Sequence, residues 1–148
     1  MTKMKFSHKL SDAIHILAYV DIYKDDDLSS KAIALSVESN PSLIRRLMST
    51  LSKAGLLTTR PGTVSPELGR AASEITVYDV YEALGKEDLL HIDDKTNPKC
   101  IVGGNIQQTL DSVYDKVQSA AENVMGAVTL QSIIDDILVR KSKRQTAE

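Results

Sequence analysis

A chain of 148 residues fits one compact domain with an appended element and makes a second full domain improbable. Hydrophobic residues at 42% and charged residues at 26% exclude a disordered chain, and aromatics at 4% with no Trp require an aliphatic core, which suits helices packed on helices. The net charge of −2 announces no nucleic-acid partner, yet it hides segregation: no acidic residue lies between Glu38 and Glu67, where Arg45, Arg46, Lys53 and Arg60 stand, while acids gather at Asp25-Asp26-Asp27 and Asp135-Asp136.

The first helix is expected from about Ser7 to Tyr23, with Leu10, Ala13, Ile14, Leu17 and Ala18 on one face and the charged run from Lys24 ending it. A second, short helix opens at Ser29, whose hydroxyl can accept from a free backbone N–H, with Leu28 and Ile33 spaced as a hydrophobic staple; it ends near Glu38. Asn40-Pro41 restarts the helix, Asn as cap and Pro in the first turn, where no N–H is missed. Leu43, Ile44, Leu47, Met48 and Leu51 form its apolar stripe, and Ser42, Arg45, Arg46, Ser49, Ser52 and Lys53 the opposite face. Gly55 supplies the stop.

Residues 56–60 read as a short strand and Pro61-Gly62 as its turn; the return strand over 63–68 has poor strand character, and Pro66 points to an edge or irregular path. Thr76 begins another helix, with Asp79 in the capping-box position and Ile75 and Val80 as a staple, ending at Gly85. A long connection follows. From Asn105 to Met125, the residues Ile106, Leu110, Val113, Val117, Ala120 and Val124 alternate in steps of four and three, a heptad-like seam suited to pairing with a second helix. Gly126 breaks this run, and a last helix from Thr129 to about Arg140 places Ile133, Ile134, Ile137 and Leu138 inside. A basic tail, Arg140-Lys141-Ser142-Lys143-Arg144, is expected to be solvated.

Two short helices joined by a tight turn and followed by a two-stranded ribbon have the layout of a winged helix-turn-helix, whose second helix enters the major groove. The fold class expected is therefore mainly α with a small β-ribbon, a winged helix-turn-helix domain plus a long dimerisation helix. The domain spans 1–85, a connecting loop 86–104, the dimerisation and C-terminal helices 105–140, and the tail 141–148. Arg45 and Arg46 offer donors long enough for guanine edges or phosphates, and Ser42 and Ser49 offer short hydroxyls that leave the groove open. Ser29 and Ser30 sit at a helix N-terminus that favours phosphate, and Lys53 and Arg60 are placed for backbone contact. An amphipathic helix with two arginines is commonly just a solvated surface; capping, acid depletion and the ribbon together favour DNA.

The chain resembles the Rrf-two family of bacterial winged-helix regulators, and within it the YwnA-like branch. The resemblance is carried by "DAIHILA" in the first helix, "NPSLIRRLMSTLSKAGLL" at 40–57, "EITVYDVYEAL" at 74–84 and "NPKCIVGGNIQ" at 97–107, in the family's order along nearly the whole chain. It implies a homodimer joined through the long helix, a pseudo-palindromic operator in double-stranded DNA, and repression as the usual output. It also implies that Ser29, Ser42, Arg45, Arg46 and Ser49 face DNA, with Arg60 and Thr63 at the wing. Two departures stand out. "RPGTVSPELGR" replaces the family's Gly-Gly-Tyr wing tip, and Cys100 is alone where iron–sulfur members carry three cysteines.

A single cysteine excludes an intrachain disulfide and supplies too few thiolates for a conventional cluster, so no cofactor is expected. Cys100 lies just before the long helix and beside Lys99, both favouring a thiolate, and is a candidate redox sensor; a free cysteine is also often just a small core hydrophobe. His8, His15 and His91 match no compact zinc motif, and no metal site is expected. No nucleophile–base pair, phosphate loop or carboxylate pair suggests an enzyme. No apolar run approaches the ~20 residues of a membrane span, and Met1 to Phe6 leads into no signal-peptide core, so a cytoplasmic protein is expected. The competing readings are a winged-helix protein-interaction module and a repressor that answers a small molecule bound between the long helix and the DNA-binding domain.

Overall fold

A computed structural model describes residues 7–59 and 65–147, without the side chain of Ala147. Six helices and one small ribbon follow in chain order. α1 (Lys9–Ile22) is the central rod, with Ala13, Ile16, Leu17, Ala18 and Val20 all buried. Four of the later helices pack against it, so its buried arc is wider than the single stripe read from spacing and takes in Ile16 and Val20 as well.

α2 (Ser30–Val37) starts at Ser29, whose Oγ accepts from the Ala32 N–H at 3.1 Å, while the Ser29 N–H donates to Asp27 Oδ1 at 2.9 Å. The staple partners Leu28 and Ile33 are both buried. The helix is closed by Glu38 in the left-handed region at φ 58°, which turns the chain sharply into α3 (Pro41–Lys53). Asn40 caps α3 through Oδ1, accepting from the Leu43 N–H at 2.8 Å, with Pro41 in the first turn.

Gly55, at φ 79°, ends α3 by letting the Leu56 N–H reach the Leu51 carbonyl at 2.9 Å. The ribbon consists of β1 (Leu57–Thr58) and β2 (Glu67–Leu68), antiparallel with Leu57 opposite Leu68 and Thr58 opposite Glu67. Among the described residues the weakly patterned return strand forms at Glu67–Leu68. Gly69 closes the base of the wing. A Cβ there would stand 1.9 Å from the Gly55 carbonyl oxygen, so no other residue fits without moving backbone. The wing tip, with Arg60, Thr63 and the Pro61-Gly62 turn, lies outside the described residues.

After a 3₁₀ turn at Ala72–Glu74, α4 (Val77–Ala83) opens with the capping box expected of Thr76 and Asp79: the Asp79 N–H donates to Thr76 Oγ1 at 3.1 Å and the Thr76 N–H to Asp79 Oδ2 at 2.9 Å. Residues 86–105 form no regular element but are internally bonded. The Gly104 N–H reaches the Cys100 carbonyl at 2.8 Å, the Lys99 N–H reaches Asn97 Oδ1 at 3.0 Å, and Asn105 Nδ2 reaches the Ile101 carbonyl at 2.7 Å.

α5 (Ile106–Ala127) continues through Gly126, so the break expected there falls at Val128, where the backbone becomes extended. α6 (Leu130–Ala147) differs more from expectation. Its first turns return to the first domain, where Leu130 and Ile134 enter the core against α1 and the 3₁₀ turn. Ile137 and Leu138, expected inside, are exposed, because α1 and the 3₁₀ turn cover only the start of the helix. The basic segment 141–147 continues this helix, with its described side chains exposed to solvent as expected. It carries no Gly or Pro to stop the helix, and Arg140 Nε pairs with Asp136 Oδ2 at 2.7 Å one turn earlier.

Candidate nucleic-acid interface

α3 is divided sharply. Ile44, Leu47 and Leu51 are buried with Leu43 and Met48 packed beside them, which anchors the helix on α1, α2 and β1. Ser42, Arg45, Arg46, Ser49 and Lys53 are all exposed on the other side. Ser52, grouped with that polar face by its spacing, is half-buried, and its Oγ finds no hydrogen-bond partner among the described residues. The outward face thus presents three cations and two short hydroxyls on a helix held rigid by its cap and core.

The two helices of the turn are also tied to each other on this face. Arg45 Nη1 lies 3.4 Å from Ser30 Oγ and Nη2 lies 3.3 Å from Ser42 Oγ, so one guanidinium spans the N-terminal turns of α2 and α3. These are long, weak bonds that orient Arg45 while leaving it free to exchange its partners for a phosphate or base edge. Ser29 is occupied as the α2 cap, with its backbone N–H held by Asp27, which leaves its hydroxyl less free than Ser30 or Ser42. Asp27 is held below the ordinary carboxylate range by the Ser29 N–H, so a fixed negative charge stands at the edge of this surface. Sequence reading missed the Arg45–Ser30 contact, because it joins residues 15 positions apart whose approach depends on the angle between two helices.

Cys100 is exposed, away from the core role open to a lone cysteine. Its thiol is lowered from the ordinary range by the nearby backbone N–H groups of Gly103 and Val102, and not by Lys99. The loop is tightly folded: a Cβ on Gly103 would lie 2.4 Å from the Asn97 carbonyl oxygen, and one on Gly104 2.8 Å from that of Pro98. The histidines do not converge. His15 Nε2 lies 2.8 Å from Ser36 Oγ, linking α1 to α2, and among the described residues no three His, Cys, Asp or Glu side chains gather as a metal site. No described helix is long and apolar enough to cross a membrane.

The seam residues of α5 behave unlike those of any other helix. No α5 residue is fully buried, and Val113, Val117 and Val124 are 47%, 45% and 66% exposed, with Ala120 open beside them. Ile106 and Leu110 are half-buried at the start of the same stripe.

Residues 6–136 match the family model described as Rrf2, iron-dependent transcriptional regulator. YwnA of Bacillus subtilis, a protein named provisionally as an HTH-type transcriptional regulator, is 38% identical over 130 residues, covering 87% of this chain and 96% of its own length. A crystal structure of a provisionally assigned DNA-binding protein superposes with a TM-score of 0.69 at 37% identity, over 85% of this chain and 98% of that one. A provisionally assigned transcriptional regulator from Lactobacillus plantarum, at 21% identity, shares the fold with a TM-score of 0.74 over 95% of this chain and 99% of its own. The chain therefore belongs to the Rrf2 family, and is a winged helix-turn-helix transcriptional regulator and not an enzyme.

Proposed function

We propose that this protein is a homodimeric repressor that binds a pseudo-palindromic operator, with α3 in the major groove and the wing beside it. The observation that carries the reading is the outward face of α3, where Arg45, Arg46 and Lys53 stand exposed with no acidic residue between Glu38 and Glu67 to oppose them. Arg46, Ser42 and Ser49 read base edges; Arg45, Ser30, Ser29 and Lys53 hold the sugar-phosphate backbone, with Arg60 and Thr63 joining from the wing. A second copy pairs along Ile106, Leu110, Val113, Val117, Ala120 and Val124, which supports two-fold recognition, because a stripe of that length exposed to water is costly.

The family description speaks of iron, and the donors of this chain do not fit an iron–sulfur centre. Such clusters take about four thiolates, and the sequence holds Cys100 alone. The signal is instead read at the thiol itself: backbone N–H groups favour the thiolate of Cys100, the form that oxidants and electrophiles attack. A small-molecule effector is the second reading, supported by a groove of about 380 Å³ lined by Tyr78, Ser119, Glu122, Asn123 and Gly126 between α4 and α5.

Selection from a random-sequence duplex library tests the reading. Reduced wild type is expected to enrich an inverted repeat, oxidant is expected to abolish retention, and Cys100→Ser to bind equally in both conditions. Failure to enrich any motif in either redox state refutes DNA recognition by the unliganded protein. Enrichment indifferent to oxidant refutes sensing at Cys100 alone.

A further inference from the structure

We propose that Gln118 is a positioning residue for DNA recognition: its amide fixes the angle between α5 and the helix-turn-helix, and so selects the spacing of the two operator half-sites. The inference rests on the reading of α5 as the pairing helix of a homodimer.

α5 is fastened to the DNA-binding unit at its C-terminal end. There the Val77 N–H donates to the Val128 carbonyl at 2.9 Å and the Leu130 N–H to the Ile75 carbonyl at 2.7 Å, around an antiparallel bridge between Thr76 and Thr129. Because α5 buries no residue fully, apolar packing alone does not define its direction. A rod fastened at one end swings unless a strut holds it further along.

Gln118 is such a strut, ten residues before Val128 and about 15 Å up the helix axis. Its Nε2 donates to the Tyr81 hydroxyl at 2.7 Å and its Oε1 accepts from the Leu89 N–H at 3.1 Å. The Tyr81 hydroxyl in turn donates to the Glu87 carbonyl. One amide therefore joins α5, α4 and the start of the connection. Tyr81 is 5% exposed, so the network is anchored on a buried side chain of α4. A second tie, Lys86 Nζ to Glu122 Oε1 at 3.4 Å with the ammonium 5.2 Å from the centre of the Tyr78 ring, lies on the same side. That ion pair is partly exposed and screened by salt, which leaves Gln118 as the firmer link.

The strut is separate from the pairing surface. Gln118, Glu122 and Met125 share one face of α5, and Val113, Val117, Ala120 and Val124 lie about a third of a turn around it. Removing the amide thus leaves the seam whole and frees only the angle. A swing of about 10° over a helix of ~30 Å moves its end by ~5 Å, more than the ~3.4 Å rise of one base pair. Half-site spacing is therefore the property that such a swing alters.

The test uses the operator selected by wild type, rebuilt with one base pair added or removed at its centre, and measured by fluorescence anisotropy at fixed salt. Wild type is expected to lose roughly tenfold or more in affinity on either altered duplex. Gln118→Leu and Tyr81→Phe are expected to sediment as dimers and bind the original operator within about threefold of wild type, with the spacing penalty reduced below about threefold. The double variant adds nothing further if the two act through one bond. Variants that keep the full wild-type penalty overturn the proposal while leaving the homodimer reading intact. A wild type that sediments as a monomer overturns the homodimer reading and the proposal together, and a dimeric wild type with no penalty overturns the proposal alone.

Discussion

α3 and α5 are both amphipathic, yet one completes its apolar face inside the chain and the other does not. α3 buries Ile44, Leu47 and Leu51 and turns its cations outward, whereas α5, at 22 residues, buries no residue fully and shows valines to solvent. An outward polar face with a buried back is a reading surface on a fixed support. An outward apolar face with polar ties behind it is a joint awaiting a partner. On the proposed reading, function is divided accordingly: α3 recognises DNA, and α5 pairs with a second copy and sets the distance between recognisers.

The most damaging change to that division is the double substitution Arg45→Ala/Arg46→Ala. The base contact of Arg46 is worth about 1–3 kcal/mol in each of two protomers and Arg45 adds a phosphate contact, so operator binding should weaken by at least about 30-fold. Sedimentation should still report a dimer, since neither residue touches α5. Next comes Val117→Glu, which sets two carboxylates against one another in the middle of the seam. Dimer dissociation should rise by more than about 100-fold, and circular dichroism should remain that of wild type because Val117 is 45% exposed in the single chain. A protein that stays dimeric would place pairing elsewhere.

The smallest effect sharpens the support beneath both helices. Burial disfavours the charged form of Asp79, but the Thr76 N–H and the Arg70 guanidinium at 2.7 Å outweigh it and hold the carboxyl below its ordinary range. A lowered folded-state value means that the carboxylate stabilises the fold at neutral pH, and that this contribution fades as pH falls below the ordinary 3.8 and through the folded value. Asp79→Asn should therefore cost about 0.5–1 kcal/mol at pH 7, given the partial exposure of the pair. Urea melts of variant and wild type should converge in acid; a gap that is constant with pH contradicts the linkage.

Local signals made most of the reading surface legible. Asn40-Pro41, Ser29, the Thr76–Asp79 box and Gly55 are all short-range devices, and each occurs as spaced. Periodicity also separated Arg45 and Arg46 from Ile44 and Leu47 on α3. It failed where tertiary coverage decides. Ile137 and Leu138 have helical spacing but stay exposed among the described residues, and Ser52 turns inward although its position on the helix reads as polar. The helical course of 141–147 went unread because charge density resembles a solvated end even where propensity and an Asp136–Arg140 pair favour helix. The Gln118–Tyr81 bond joins residues 37 apart and has no signature in any window of sequence.

The central claim, that the outward face of α3 binds DNA, is tested most directly by the salt dependence of operator affinity. Neutralising phosphates releases counterions, so the logarithm of the binding constant should fall linearly with the logarithm of salt, by about 0.9 per phosphate contacted. Two protomers with Arg45 and Lys53 on the backbone predict a slope of roughly −3 to −4, made shallower by removing either residue. Binding that is flat with salt and indifferent to these residues would contradict the account.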